Sequence, residues 1–146
     1  MNLVAITQEL TSRQEIQSSD FLKDLCVSTI AMYPNGIPML PWAGYLGEEQ
    51  GVFIGTCAFK ALPEFGEVEI AYFTFPEHEG RGVATLMAQS LIDLAKQYGV
   101  VMIKAQTLPE KNVSTHILEK LGFKFSGSVI QPTDGQVWEW HRSGAA

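Results

Sequence analysis

The stretch from Glu67 to Thr107 restricts the fold of this chain more than any other. EVEIAYFTF is dense in β-branched and aromatic residues and reads as a strand stopped by Pro76. Val83, Leu86, Met87, Leu91, Leu94, Ala95 and Tyr98 then recur at i, i+3, i+4, i+7 spacing, which predicts an amphipathic helix over 82–98 closed by Gly99. VVMIKAQT follows as an almost unbroken apolar run, which predicts a strand buried on both faces. Strand, helix, strand in so short a span is a βαβ unit, whose two strands run parallel with a right-handed crossover.

The flanking segments set the remaining topology. GVFIGTCAF is joined to EVEIAYFTF only by LPEFG, so the two predict an antiparallel pair. Leu3–Ile6 reads as a short strand, and Asp20–Met32 as a helix capped by Ser19 or Asp20. The Pro/Gly-rich run Tyr33–Gly47 predicts a packed loop. A second helix near Ser114–Leu121 stops at Gly122, with Ser114 as its candidate N-cap. FKFSGSVI and QVWEWHR then form strands around the hairpin cue Asp134-Gly135. The expected class is α+β: a mixed, mostly antiparallel sheet with one central parallel βαβ step. Without repeat or linker, residues 1–146 are expected to form a single domain.

Composition excludes several functions. Ten Lys and Arg stand against 16 Asp and Glu, a formal charge of −6, which argues against nucleic acid as a partner and favours cationic ones. No apolar run nears the roughly 18 residues of a membrane span, and no basic segment precedes the first apolar residues, so neither membrane nor signal peptide is expected. Cys26 and Cys57 lack metal-site spacing and predict two packed, reduced thiols, hence a cytoplasmic setting without a metal.

The segment carrying chemistry is Phe75–Thr85, FPEHEGRGVAT, at the strand-to-helix junction. Gly80 and Gly82 remove side chains where the chain turns, and the first amides of the next helix have no partner within it. Those donors, the helix dipole and Arg81 suit an anion such as phosphate. A P-loop is excluded because Gly-Lys-Ser/Thr is missing. A dinucleotide fingerprint is excluded by Thr85 where Gly or Ala is needed, and by Lys104 near the position of the ribose acid.

Glu79-Gly80-Arg81-Gly82-Val83-Ala84 resembles the Gln/Arg-x-x-Gly-x-Gly/Ala phosphate loop of the GCN5-related N-acetyltransferases, with Glu79 replacing Gln or Arg. LPEKNVSTHILEKLGFKFSG is similar to a second block of that superfamily, closest to the ribosomal-protein-alanine acetyltransferase-like branch. There an Asn commonly lies three residues before the Ser, where this chain has Lys111, with Asn112 one later. The resemblance implies a three-layer α/β/α fold and acetyl-CoA as co-substrate.

It also implies site residues. Phe73, Thr74 and Phe75 would line the pantetheine, with oxyanion donors among the backbone amides of Tyr72–Phe75. Gly80, Arg81, Gly82, Val83, Ala84 and Thr85 would hold the phosphates, and Asn112 would join them. Ser114 would lie near the leaving thiolate. Trp42, Tyr45 and Tyr72 would wall the acceptor. Attack by an amine requires its neutral form, about one part in 2,500 at pH 7 for a pKa of about 10.4, a cost of roughly 4–5 kcal/mol. Glu69, on the strand face of Ala71, Phe73 and Phe75, is the expected base. His78 and His116 read as surface residues and His141 as structural. The acceptor is expected to be a small amine or a protein amino terminus. Two other readings stand beside this one: an acyl-CoA-binding sensor or interaction module without turnover, and a homodimer paired through an exposed Val137–His141 edge.

Overall fold

The computed structural model describes residues 1–145. In chain order the elements are β1 (Asn2–Ala5), α1 (Gln8–Thr11), α2 (Gln14–Gln17), α3 (Asp20–Ala31), β2 (Gly44–Glu49) and β3 (Val52–Phe59). They continue with β4 (Glu67–Thr74), α4 (Val83–Gln97), β5 (Met102–Thr107), α5 (Val113–Lys120), β6 (Lys124–Gln131) and β7 (Gly135–Ser143). Among the described residues seven strands form one sheet, ordered β1-β2-β3-β4-β5-β7-β6. β4 and β5 are parallel, as expected of the βαβ step, and every other neighbouring pair is antiparallel.

Side-chain alternation divides the core into two layers. On one face, Val68, Ile70, Ile103, Ala105 and Trp140 pack with Met87, Leu91 and Ile92 of α4 and Leu118 of α5. On the other, Ile6, Leu10, Ile16, Cys26 and Ile30 pack with Leu46 and Phe75. Helices on both faces of a mixed sheet give the α/β/α arrangement. The helical layer from α1–α3 covers the β1–β3 end. Beyond it, the same face of β4, β5 and β7 carries Ala71 and Phe73, both exposed, and Lys104, Gln106, Glu139 and His141, all partly exposed.

Four local expectations are corrected. The run Tyr33–Gly47 is not loop throughout, because Gly44–Gly47 belongs to β2, where Tyr45 and Leu46 bury into opposite layers despite flanking glycines. β5 is not buried on both faces: Ile103, Ala105 and Thr107 are buried, while Met102, Lys104 and Gln106 face the side without a helix. β7 is not an edge, since β5 and β6 pair on either side of it, so a dimer through that edge is ruled out. The N-cap of α5 is Asn112, not Ser114. Its side chain accepts from Thr115 N at 3.0 Å, and Thr115 Oγ1 accepts from Asn112 N at 2.9 Å, closing a capping box.

Two outcomes follow from this core. Leu91, 0% exposed, should lose about 2–5 kcal/mol of stability on substitution to Ala, read by urea unfolding; a loss below about 1 kcal/mol would contradict the packing. Burial pushes the Cys57 thiol up to about 12 and raises that of Cys26. Both thiols are buried, so neither should react with an aromatic disulfide reagent at pH 8 in the native protein, and both should react in denaturant.

Candidate active site

Pairing between β4 and β5 ends early. The parallel register runs from Glu67↔Met102 to Ile70↔Ala105 and stops there. β4 nevertheless stays paired with β3 to Thr74, and β5 with β7 to Thr107. A gap therefore opens in mid-sheet. Lys60 N donates to Glu69 O at 2.9 Å and Phe75 N to Ile54 O at 3.0 Å, so the odd-numbered residues of β4 bond towards β3. By alternation, the N–H and C=O groups of Tyr72 and Thr74 point into the gap.

The glycine loop stands at one end of this opening. Gly80 and Gly82 have φ of +78° and +76°, left-handed conformations that disfavour any side chain. Gly82 caps α4 with no side-chain hydrogen bond. The amides of Val83, Ala84 and Thr85 are thus left to an external acceptor at the positive end of a 15-residue helix. A cleft of about 600 Å³ runs from these donors to the gap. Its walls are Tyr72, Phe73 and Thr74 of β4, loop residues including Glu79, Gly80 and Gly82, and Val113, Ser114 and Ile117 of α5. The expected Ser114 is here, its Oγ 3.2 Å from the Tyr72 hydroxyl, which also lies 3.3 Å from Ser114 O. Burial pushes the Tyr72 phenol up, partly opposed by the Ser114 bond, so it remains a proton donor at neutral pH.

Other expected residues are dispersed. Arg81 bonds His78 Nδ1 at 2.7 Å and is outside the cleft wall, as is Asn112, whose side chain caps α5. The Phe75 ring is buried away from the cleft, edge-on to Phe21 with centroids 5.1 Å apart. Tyr45 is a core residue whose hydroxyl donates to Pro41 O, so it does not wall an acceptor site. Trp42 lines a second cavity, about 590 Å³, with Met32, Ala58, Leu62 and Ala71. Glu69 lies on the face opposite Tyr72, its Oε2 accepting from Lys60 Nζ at 2.9 Å, with its side chain 23% exposed.

Glu139 and Gln106 escape the sequence reading, and His141 enters it only as a structural residue. Glu139 accepts from His141 Nε2 at 2.7 Å and from Gln106 Nε2 at 3.2 Å. Alternation in QVWEWHR places Glu139 and His141 on one face, but their approach to Gln106 depends on the β5–β7 register. No local signal encodes that register. Among the described residues, no group of three or more His, Cys, Asp or Glu is arranged to hold a metal ion.

Comparison with known proteins agrees with this geometry. Residues 8–124 match the model of the acetyltransferase (GNAT) domain. The chain is 29% identical over 96 residues to the L-amino acid N-acyltransferase MnaT of Escherichia coli, covering 61% of this chain and 56% of that protein. It spans about half the length of the curated relatives it matches. The ribosomal L7/L12 alpha-N-protein acetyltransferase RimL superposes with a TM-score of 0.73 at 15% identity, covering 97% of this chain and 91% of that one. The structure of yncA from Salmonella typhimurium with its cofactor acetyl-CoA superposes with a TM-score of 0.63 at 19% identity, covering 85% and 72%. The family match over most of the chain, together with the gapped β4–β5 pair and the glycine loop capping α4, makes this protein a member of the GNAT acetyltransferase family.

Proposed function

We propose that the chain transfers an acetyl group from acetyl-CoA to a primary amine by direct attack in a ternary complex. One observation carries the reading: the unpartnered amides of the glycine loop and the open edge of β4 line the same cleft. Acetyl-CoA, when bound, supplies the acyl group as a thioester. Gly80, Gly82 and the amides of Val83–Thr85 hold the phosphates, with Arg81 adding positive charge nearby. The open main-chain edge at Thr74 aligns the pantetheine, with Phe73 on the same cleft wall. The amides of Tyr72 and Thr74 stabilise the oxyanion, a contribution of a few kcal/mol. The Tyr72 phenol passes a proton through Ser114 Oγ to the departing sulfur, and solvent reprotonates the phenol. Glu69, on the opposite face of the sheet, accepts the proton of the attacking amine.

The acceptor is a small amine, an amino-acid derivative or a protein amino terminus. The net charge of −6 and the activities named for MnaT and RimL support that range. The two free, buried thiols support a cytoplasmic setting. The Glu79 carboxylate on the cleft wall favours a second reading, a domain that binds acyl-CoA without turnover.

Calorimetry with acetyl-CoA should give micromolar affinity near one site per chain. Gly82→Asp, which forces a carboxylate and a strained backbone into the phosphate end, should weaken binding at least about 10-fold. In a thiol-release assay across primary amines, Glu69→Gln should lower kcat by about 10²-fold or more. Binding without turnover on any amine would favour the second reading, and no binding would overturn both.

A further inference from the structure

The face of the sheet away from α4 and α5 holds a polar group that the proposed transfer reaction leaves unused. Glu139 carries a bond on each oxygen, from His141 Nε2 at 2.7 Å and Gln106 Nε2 at 3.2 Å. A carboxylate has about four lone-pair sites, so roughly two remain open. Side-chain exposures of 20% for Glu139 and 31% for His141 leave them within reach of a small ligand. Burial raises the Glu139 carboxyl, but the bonds from His141 and Gln106 and the charge of Lys104 outweigh it. The net position is below the usual carboxylate range, so Glu139 remains an anion at neutral pH.

Its location is specific. Ala58 and Ala71 are register partners on β3 and β4, and Gln106 and Glu139 are partners on β5 and β7. Ala71 and Gln106 each lie two residues beyond the pair Glu69↔Lys104, so they face one another across the gap. The two small alanines floor the cavity walled by Met32, Trp42 and Leu62. One lip of the gap is therefore roomy and mostly apolar, with Glu64 and the Glu69-paired Lys60 also on its wall, and the other presents a fixed negative charge. Two strand spacings, at least roughly 10 Å because β4 and β5 are unpaired here, separate Ala71 from Glu139, a span for a glutamate side chain and an amine with its substituent together. Glu69 is less free to serve as a counter-ion, because Lys60 holds it at 2.9 Å and its register partner is Lys104.

Building on the acetyltransferase reading, we infer that Glu139, held by His141 and Gln106, is the counter-ion that anchors the acceptor's ammonium group at the mouth of the gap, and that the cavity over Ala58 and Ala71 takes an apolar substituent of the same amine. His141 is a positioning residue, acting through Glu139. The substrate class is a primary amine bearing an apolar or aromatic group.

The test follows the backbone amides of Ala71, Gln106 and Glu139 by NMR in the full chain during titration with 2-phenylethylammonium. Saturable shifts are expected, at least 10-fold weaker in Glu139→Gln and at least 10-fold weaker for the neutral 2-phenylethanol. His141→Ala should weaken the response about 3-fold or more, and His141→Gln, which keeps a donor, should restore most of it. Absence of saturable shifts, or equal affinity in Glu139→Gln, overturns the anchor. Equal affinity for ethylammonium overturns the apolar site. Acetyl-CoA calorimetry on the same samples separates the two readings. Acetyl-CoA binding without an amine response rejects this inference alone, and an amine response without acetyl-CoA binding rejects the transferase reading alone. Unchanged acetyl-CoA affinity and unchanged amide spectra elsewhere identify variants that fold normally.

Discussion

The site depends on a hydrogen-bond ladder that stops before its strands do. β4 and β5 pair only to Ile70 and Ala105, yet both strands continue, each held by its outer neighbour. In a sheet interior, unpaired amides are costly unless something else satisfies them. Here they face a cleft, open on one side to the glycine loop and on the other to a helix-free sheet face. The buried layer of Met87, Leu91 and Ile92 against Val68 and Ile103 keeps α4, and hence its N-terminus, in line with that opening. The packing core and the chemistry share the same strand pair.

The two faces of the gap divide the work by polarity. The face towards α5 offers hydroxyls, Tyr72 and Ser114, suited to donating a proton. The opposite face offers carboxylates, Glu69 and Glu139, suited to accepting one or to holding a cation. Strand alternation alone generates this division, since adjacent residues on β4 project to opposite sides. A shift of register by one residue would exchange the two sets.

Much of this was legible in the sequence because it is encoded locally. The helical period of 83–98, the apolar strands around it and the glycines of the loop are short-range signals, and they identify the parallel step and the anion end of the cleft. β2 was missed because its glycines and the prolines before it resemble a loop, and its burial depends on layers contributed from elsewhere. The end of β5 pairing, the interior position of β7 and the grouping of Glu139 with Gln106 depend on which distant strands meet. Asn112 illustrates a competing claim on one residue: its amide oxygen can cap a helix or meet a ligand, and the spacing to Thr115 decided for the cap.

β7 follows β6 in the chain but lies inside it in the sheet, between β6 and β5. Among the described residues β6 pairs only with β7, so the two strands join the sheet as one hairpin. A hairpin of this kind forms locally in microseconds, whereas its docking onto β5 is a long-range event and slower. The Trp140 indole, donating to Thr107 Oγ1 at 3.0 Å in the buried layer, latches the docked hairpin to the end of β5. Glu139 and His141 travel with that hairpin. On the inference drawn above, the Glu139 side of the gap thus comes into being only at docking, after the crossover that carries the glycine loop can already stand, so the order of folding separates the two sides of the cleft in time.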